Sequence, residues 1–281
     1  MANRQISVAR EMLCKVPEIT LYFWIIKIMA TTVGETAADY LNVNLGFGLT
    51  NTSYVMGALL LAVLTYQLVK RLYVPWLYWL TVILISIVGT LITDNLTDRL
   101  GVPLWVSTIG FSIILAIAFL AWYASERTLS IHSIFTTKRE LFYWAAILFT
   151  FALGTAGGDF ATEGLNFGYF QGVLIFGGLI ALTTLAYYTN IFNAVLSFWV
   201  AYILTRPLGA SIGDFLTQAP KDGGLGLSDS WVNGAFFATI IILIAYLTFT
   251  RVDRPKNSED KATIDYWDNN DGAPASVVEL E

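Results

Sequence analysis

Residues 34–48, GETAADYLNVNLGFG, align without a gap on residues 154–168, GTAGGDFATEGLNFG, when the chain is shifted by 120 positions. Gly34 meets Gly154, Asp39 meets Asp159, Leu45 meets Leu165, Phe47 meets Phe167 and Gly48 meets Gly168. The register runs on through Trp24/Trp144, Gly57/Gly177, Trp79/Trp199, Gly89/Gly209, Asp94/Asp214 and Thr97/Thr217. Self-similarity at a fixed period marks a duplicated architecture. Each half is itself doubled, because Trp-x9-Gly-x4-Asp occurs four times: Trp24/Gly34/Asp39, Trp79/Gly89/Asp94, Trp144/Gly154/Asp159 and Trp199/Gly209/Asp214.

The composition sets the environment of this repeat. Of 281 residues, 56% are hydrophobic and only 13% are charged, with a mean hydropathy of +0.62. Soluble domains carry about 25% charged residues, so an integral membrane protein is expected. Apolar runs of membrane-crossing length fall at roughly 19–41, 53–73, 75–95, 103–124, 140–161, 168–188, 190–214 and 231–251. The expected fold is therefore all-α and integral to the membrane, with eight transmembrane helices. It is a tandem duplication of a four-helix unit that is itself two two-helix repeats.

A two-helix repeat returns each copy in the same orientation. The four motif helices are then parallel, in a pseudo-fourfold or two-plus-two ring about an axis along the membrane normal, unlike an inverted repeat. Residues 19–252 form the transmembrane domain, with halves at about 19–134 and 139–252. Residues 1–18 precede it, and the acidic, polar residues 253–281 read as a disordered tail. The N-terminal segment lacks the continuous apolar core of a signal peptide. Arg4, Arg10, Lys15, Lys70, Arg71, Arg127, Lys138, Arg139, Arg251, Arg254 and Lys256 gather at one side, against Arg99 and Lys221 at the other. Both termini are thus expected to be cytoplasmic.

An ionisable side chain inside a span costs at least about 2.5–3.5 kcal/mol on insertion scales, so it ordinarily faces a cavity or a partner. Asp39, Asp94, Asp159 and Asp214 recur at one motif position and are expected to share a polar site. A second acid stands four residues from the motif Asp in three copies, on the same helical face: Glu35, Asp98 and Glu163. The fourth copy has Gln218 instead. Thr36, Thr93, Thr155 and Ser211 add neighbouring oxygens. The alternative for the aspartates is a solvated place in the outer loops, with Arg99 as a partner for Asp94 or Asp98.

With one cysteine, Cys14, and one histidine, His132, no thiol or imidazole cluster exists. An internal disulfide is ruled out, and so is a Ser/His, Cys/His or metal–histidine catalytic set. Oxygen-only, carboxylate-rich donors suit hard cations such as Mn²⁺, Mg²⁺ or Ca²⁺. The same acids can carry protons, because neighbouring carboxylates resist being charged together. Lys27 and Arg206 lie inside spans and do not recur in the other half, which suits an internal counter-ion at the acidic site. Lys27 has the alternative of snorkelling to the interface. Pro207 directly after Arg206 is expected to kink its helix.

Gly34, Gly89, Gly154 and Gly209 suit close helix packing or a local unwinding that frees carbonyl oxygens. Trp24, Trp79, Trp144 and Trp199 are about 22 Å of helix from the aspartates and suit interfacial anchoring.

The stretches KVPEITLYFW, VGETAADYL, GTLITDNLTDRLG, ALGTAGGDFATEGLNFG and RPLGASIGDF resemble a family of bacterial multi-pass proteins labelled uncharacterised membrane-anchored proteins. The resemblance covers roughly residues 15–250 and implies a bacterial inner-membrane protein, without implying an activity. The expected function is a proton-coupled transporter of a hard divalent cation, with Mn²⁺ ahead of Mg²⁺ and Ca²⁺. Two alternatives stay open: a cation channel with a four-Asp selectivity ring, and a proton-coupled carrier of a small organic solute. The chain is expected to be no enzyme and to need no cofactor. Its expected partners are lipid, metal ion and protons, with no nucleic acid, as a monomer or homodimer.

Overall fold

The computed structural model describes residues 14–70 and 72–253. Arg4, Arg10, Arg71, Arg254, Lys256 and the tail from residue 254 onward lie outside the described residues. Those described form eight long helices and no strand: α1 Leu21–Asp39, α2 Gly48–Val69, α3 Pro75–Asp94, α4 Leu104–Glu126, α5 Thr137–Asp159, α6 Tyr169–Tyr188, α7 Ala194–Thr217 and α8 Asp229–Thr250. Local chemistry sets several starts. The side chains of Thr20, Thr136 and Asn193 accept hydrogen bonds from the first free amides of α1, α5 and α7. Pro75 opens α3, where its missing N–H costs nothing.

Seven of the eight helices are long and apolar enough to cross a membrane. The exception is α1, which carries Lys27, Glu35 and Asp39 within its length. That helix is nonetheless among the most deeply packed, so its charges are held by protein.

The helices sort into two layers. The helices α1, α3, α5 and α7 pack in a closed cycle, α1 on α3, α3 on α5, α5 on α7 and α7 back on α1. Outside them, α2 lies on α3, α4 on α5, α6 on α7 and α8 on α1. The outer helices turn apolar side chains outward, among them Leu61, Ile117, Leu182 and Ile242, each more than half exposed. Water does not tolerate an apolar surface of that extent; the architecture is that of a multi-pass membrane protein.

The four motif glycines make the inner cycle possible. A Cβ at Gly34 would fall on Ser86, one at Gly89 on Phe151, one at Gly154 on Arg206 and one at Gly209 on Thr31. In every case the neighbour stands three positions before the glycine of the adjacent motif helix, so one contact is repeated around the ring. Contacts of Gly209 with Thr31 and of Gly213 with Thr36 climb α7 and α1 together, which makes that pair parallel.

The helices run unbroken through all four glycines, so of the two expectations for them, packing holds and unwinding does not. Gly34→Ala should cost about 1–3 kcal/mol by overpacking against Ser86, and Ser86→Gly should relieve it. Gly57→Ala on α2, where a Cβ meets nothing within 4 Å, should be neutral or slightly stabilising. Thermal unfolding in detergent distinguishes the two.

The tryptophans depart from expectation. Trp79, Trp144 and Trp199 are almost fully buried and serve as core packing rather than an outward-facing belt. Trp199 meets Phe119 and Trp122 edge to face and Tyr143 at a tilt, while Trp79 and Trp144 pack on Tyr78. The inner layer supplies enough aromatic partners to draw the indoles inward. Pro207 lies inside α7, and its ring packs against Gly154 and Gly158 of α5.

Candidate functional site

Corresponding positions of the four motif helices build levels of four side chains across the inner cycle. Phe23, Tyr78, Tyr143 and Phe198 form an aromatic level nearest the helix starts, with the Tyr78 and Tyr143 hydroxyls hydrogen-bonded at 2.6 Å. Next come Lys27, Val82, Ile147 and Tyr202, then Thr31, Ser86, Phe151 and Arg206, then Glu35, Thr90, Thr155 and Ala210, all buried. Asp39, Asp94, Asp159 and Asp214 stand beyond them, with Asp214 buried and the other three partly exposed.

Arg206 links these levels. It is fully buried, and its Nη2 donates to Glu35 Oε2 at 2.6 Å while Nη1 donates to the Thr31 carbonyl at 3.0 Å. A further short hydrogen bond runs from Nη2 to Thr90 Oγ1. One side chain of α7 is thereby tied to α1 and α3. Its stem passes over Gly154 of α5, so all four inner helices meet at this side chain. The planar fork suits this many-sided recognition as a lysine ammonium would not. Arg206 Nε has no hydrogen-bond partner among the described residues.

Lys27 is also fully buried, so it does not snorkel. Its Nζ lies 4.1 Å from the centre of the Phe151 ring and 4.2 Å from that of Tyr202, with no hydrogen-bond acceptor among the described residues. The faces of these two rings are its contacts. Two basic side chains thus stand on the side of the carboxylates nearer the helix starts.

The aspartate carboxylates have no hydrogen bond or ion pair among the described residues. They do act on one another electrostatically: Asp159 on Glu35, Asp214, Asp94 and Glu163, and Asp39 on Glu35, Asp98, Glu163 and Asp229. Arg99 makes no ion pair with Asp94 or Asp98 within the same set. No three His, Cys, Asp or Glu side chains converge on one ion position there either. Glu163 and Asp98 are exposed at the rim, where they accept from Tyr169 Oη at 3.3 Å and Thr97 Oγ1 at 3.1 Å.

The expected hydroxyl neighbours divide differently. Thr36 donates to Asn233 Oδ1 at 2.7 Å and Thr93 to the Ala152 carbonyl at 3.2 Å, so both serve helix seams. Thr155 donates to its own helix at the Phe151 carbonyl, 3.1 Å away. Ser211 Oγ is buried without a hydrogen-bond partner among the described residues.

Directly after Asp39, Asp94 and Asp159 the helices change character. Tyr40–Asn44, Asn95–Arg99 and Phe160–Gly164 are π-helical turns. Such wide turns are rare and frequent at functional sites. They set three aspartates at an α-to-π junction, whereas α7 stays α-helical to Thr217, past Asp214. The departure from regular helix thus lies beyond the aspartates rather than at the glycines.

Sequence reasoning missed Thr31 and Thr90 as partners of Arg206. The repeat contained the signal for Thr90, which occupies the position of Glu35 in the second copy. Nothing in the sequence marked the π turns.

Four consecutive segments, residues 22–73, 77–128, 142–190 and 197–253, match the family described as Repeat of Unknown Function (DUF347), and together they take in more than half of the chain. The chain belongs to this repeat family. Each matched DUF347 unit holds one inner helix and the outer helix that follows it. The charge cluster is therefore assembled from one helix of every repeat, with Arg206 and Lys27 as single-copy departures from the shared pattern. No curated protein and no solved structure gives a significant match to the chain.

Proposed function

We propose that the protein is a membrane carrier of a hard divalent cation, Mn²⁺ ahead of Mg²⁺ and Ca²⁺, exchanged with protons. The observation that carries this reading is the pairing of buried Arg206 with Glu35 beneath four aspartates that make no hydrogen bond or ion pair among the described residues. In this arrangement Arg206 acts as the internal counter-ion of an unloaded site. An entering cation competes with the guanidinium for Glu35 and draws the aspartates toward it, while protons take its place on the return. Oxygen donors in this number, without thiol or imidazole, fit a hard ion.

On this reading the chain is inserted in the bacterial inner membrane with both termini cytoplasmic. It acts without a cofactor and not as an enzyme, as a monomer or homodimer. The four DUF347 units are taken as a tandem pair of pairs about the axis of the inner cycle, with α1, α3, α5 and α7 parallel. A channel fits less well, because Arg206, Lys27 and the aromatic level fill that axis, and a fixed positive charge raises a barrier to cations in a pore.

Purified protein in liposomes provides the test. Mn²⁺ uptake driven by a pH gradient is expected, saturable in the ion. Asp39→Asn and Asp159→Asn should each reduce it at least tenfold. If Mn²⁺, Mg²⁺, Ca²⁺ and protons all fail to move, or the Asn variants match the native chain, the reading is wrong.

A further inference from the structure

A cavity of about 480 Å³ opens between α1, α6 and α7, in the half of the bundle away from the aspartates. Glu18 and His132 stand at its mouth, their side chains 3.8 Å apart, and the Glu18 amide donates to the Asp253 carbonyl at 3.0 Å. Thr183 and Thr184 of α6 and Ser197 and Thr205 of α7 line it, beside apolar side chains. Thr205 is adjacent in sequence to Arg206 and nine residues, about 14 Å of helix, before Asp214.

The chemistry of the lining is one-sided. Thr183, Thr184 and Thr205 donate their hydroxyl protons to carbonyls of their own helices, at 2.8, 2.9 and 2.7 Å. What these groups have left to offer is oxygen lone pairs. Ser197 Oγ is buried with no partner at all among the described residues. A volume of this size holds several water molecules. A carboxylate at the mouth and lone pairs along the wall favour a hydrated cation over an anion.

The cavity ends at the seam that separates it from the carboxylates. There Thr31 Oγ1 donates to the Thr205 carbonyl at 3.1 Å, and Arg206 Nη1 donates to the Thr31 carbonyl at 3.0 Å. The same guanidinium that neutralises Glu35 also fastens α7 to α1. Release of Arg206 from Glu35 by an arriving ion therefore loosens the contact between site and cavity.

We propose that this cavity is the water-filled access route between the carboxylate site and the membrane face that carries the chain termini, gated at the Thr31–Thr205–Arg206 seam. The proposal rests on the transport reading for its cargo, a hydrated hard cation, but not for its water content.

Thiol labelling separates the two. Cys14 is the one cysteine of the chain, so Cys14→Ser provides a background, retained once it transports at the native rate. Ser197→Cys, Ala201→Cys and Thr205→Cys are introduced singly, three small changes along one wall. A membrane-impermeant, charged thiosulfonate is supplied from one face of the proteoliposome at a time. All three are expected to react from the terminal face and not from the other, and the modified variants should lose at least tenfold in Mn²⁺ flux. Manganese should change the labelling rate of Thr205→Cys severalfold.

Labelling only by a membrane-permeant apolar reagent, or by neither reagent, means a cavity without water and overturns the proposal. Labelling that leaves flux intact overturns its role as the route. If the native chain moves no ion, labelling still decides whether the cavity is aqueous. Failure of the transport reading and failure of this inference are thus told apart.

Discussion

Arg206→Met is expected to destabilise the protein by about 3–5 kcal/mol, because it leaves Glu35 buried in the inner cycle without its cation. The double variant Arg206→Met/Glu35→Met should recover most of that loss, since an apolar pair of similar volume removes the stranded charge. Arg206→Lys keeps the charge and loses the fork that holds the Thr31 carbonyl and Thr90 together with Glu35, so it should fall between the two. Thermal unfolding in detergent reads all three. Stability of the single variant equal to that of the native chain would show that the pair is not the organising contact described above. The stable double variant should transport no cation. That outcome separates the ion-binding role of Glu35 from its structural one.

The second large effect belongs to the opposite end of the bundle. Lys15 and Glu140 form an ion pair at 2.6 Å with both side chains buried. Lys15 Nζ also donates to the Leu68 carbonyl at 3.0 Å, and Glu140 Oε1 accepts from Gln67 Nε2 at 3.2 Å and Trp144 Nε1 at 3.3 Å. The cluster ties the segment before α1, the end of α2 and the start of α5, and so fastens the first repeat to the third. Glu140→Ala strands the lysine and should cost about 3–5 kcal/mol. Lys15→Ala should cost less, because Glu140 keeps two neutral donors. The charge-reversed pair Lys15→Glu/Glu140→Lys should restore part of the loss. Buried charges are screened little by ions, so 0.5 M salt should leave the native melting temperature nearly unchanged. A strong fall with salt would count against a buried pair.

Sequence periodicity carried a large share of this structure. The four Trp-x9-Gly-x4-Asp copies delimit the four helices that form the inner cycle, and hydropathy delimits the rest to within a few residues, with α2 starting at Gly48 rather than near residue 53. Such features are legible because a repeat writes the same packing problem four times, so that Gly34, Gly89, Gly154 and Gly209 stand where a neighbour's side chain must pass. The aspartates were legible for the same reason.

Single-copy features were less so. The partners of Arg206 come from two other helices, and only closure of the cycle sets Thr31, Thr90 and Glu35 around it. Lys27 illustrates the limit, since a lysine near a helix start is equally suited to snorkelling or to burial. The rings of Phe151 and Tyr202, more than a hundred residues away in sequence, decide for burial. Trp79, Trp144 and Trp199 likewise turn inward because other helices offer aromatic partners there, whereas Trp24 stays partly exposed. The π turns after Asp39, Asp94 and Asp159 depend on the hydrogen-bond pattern at a helix end, which residue identity does not specify. By itself the sequence determined the helical class, the four-unit repeat and the acids each unit contributes, because these follow from periodicity and the cost of exposing apolar surface. Only the tertiary structure decided which charges meet, because an ion pair between helices is fixed by how the units close on one another.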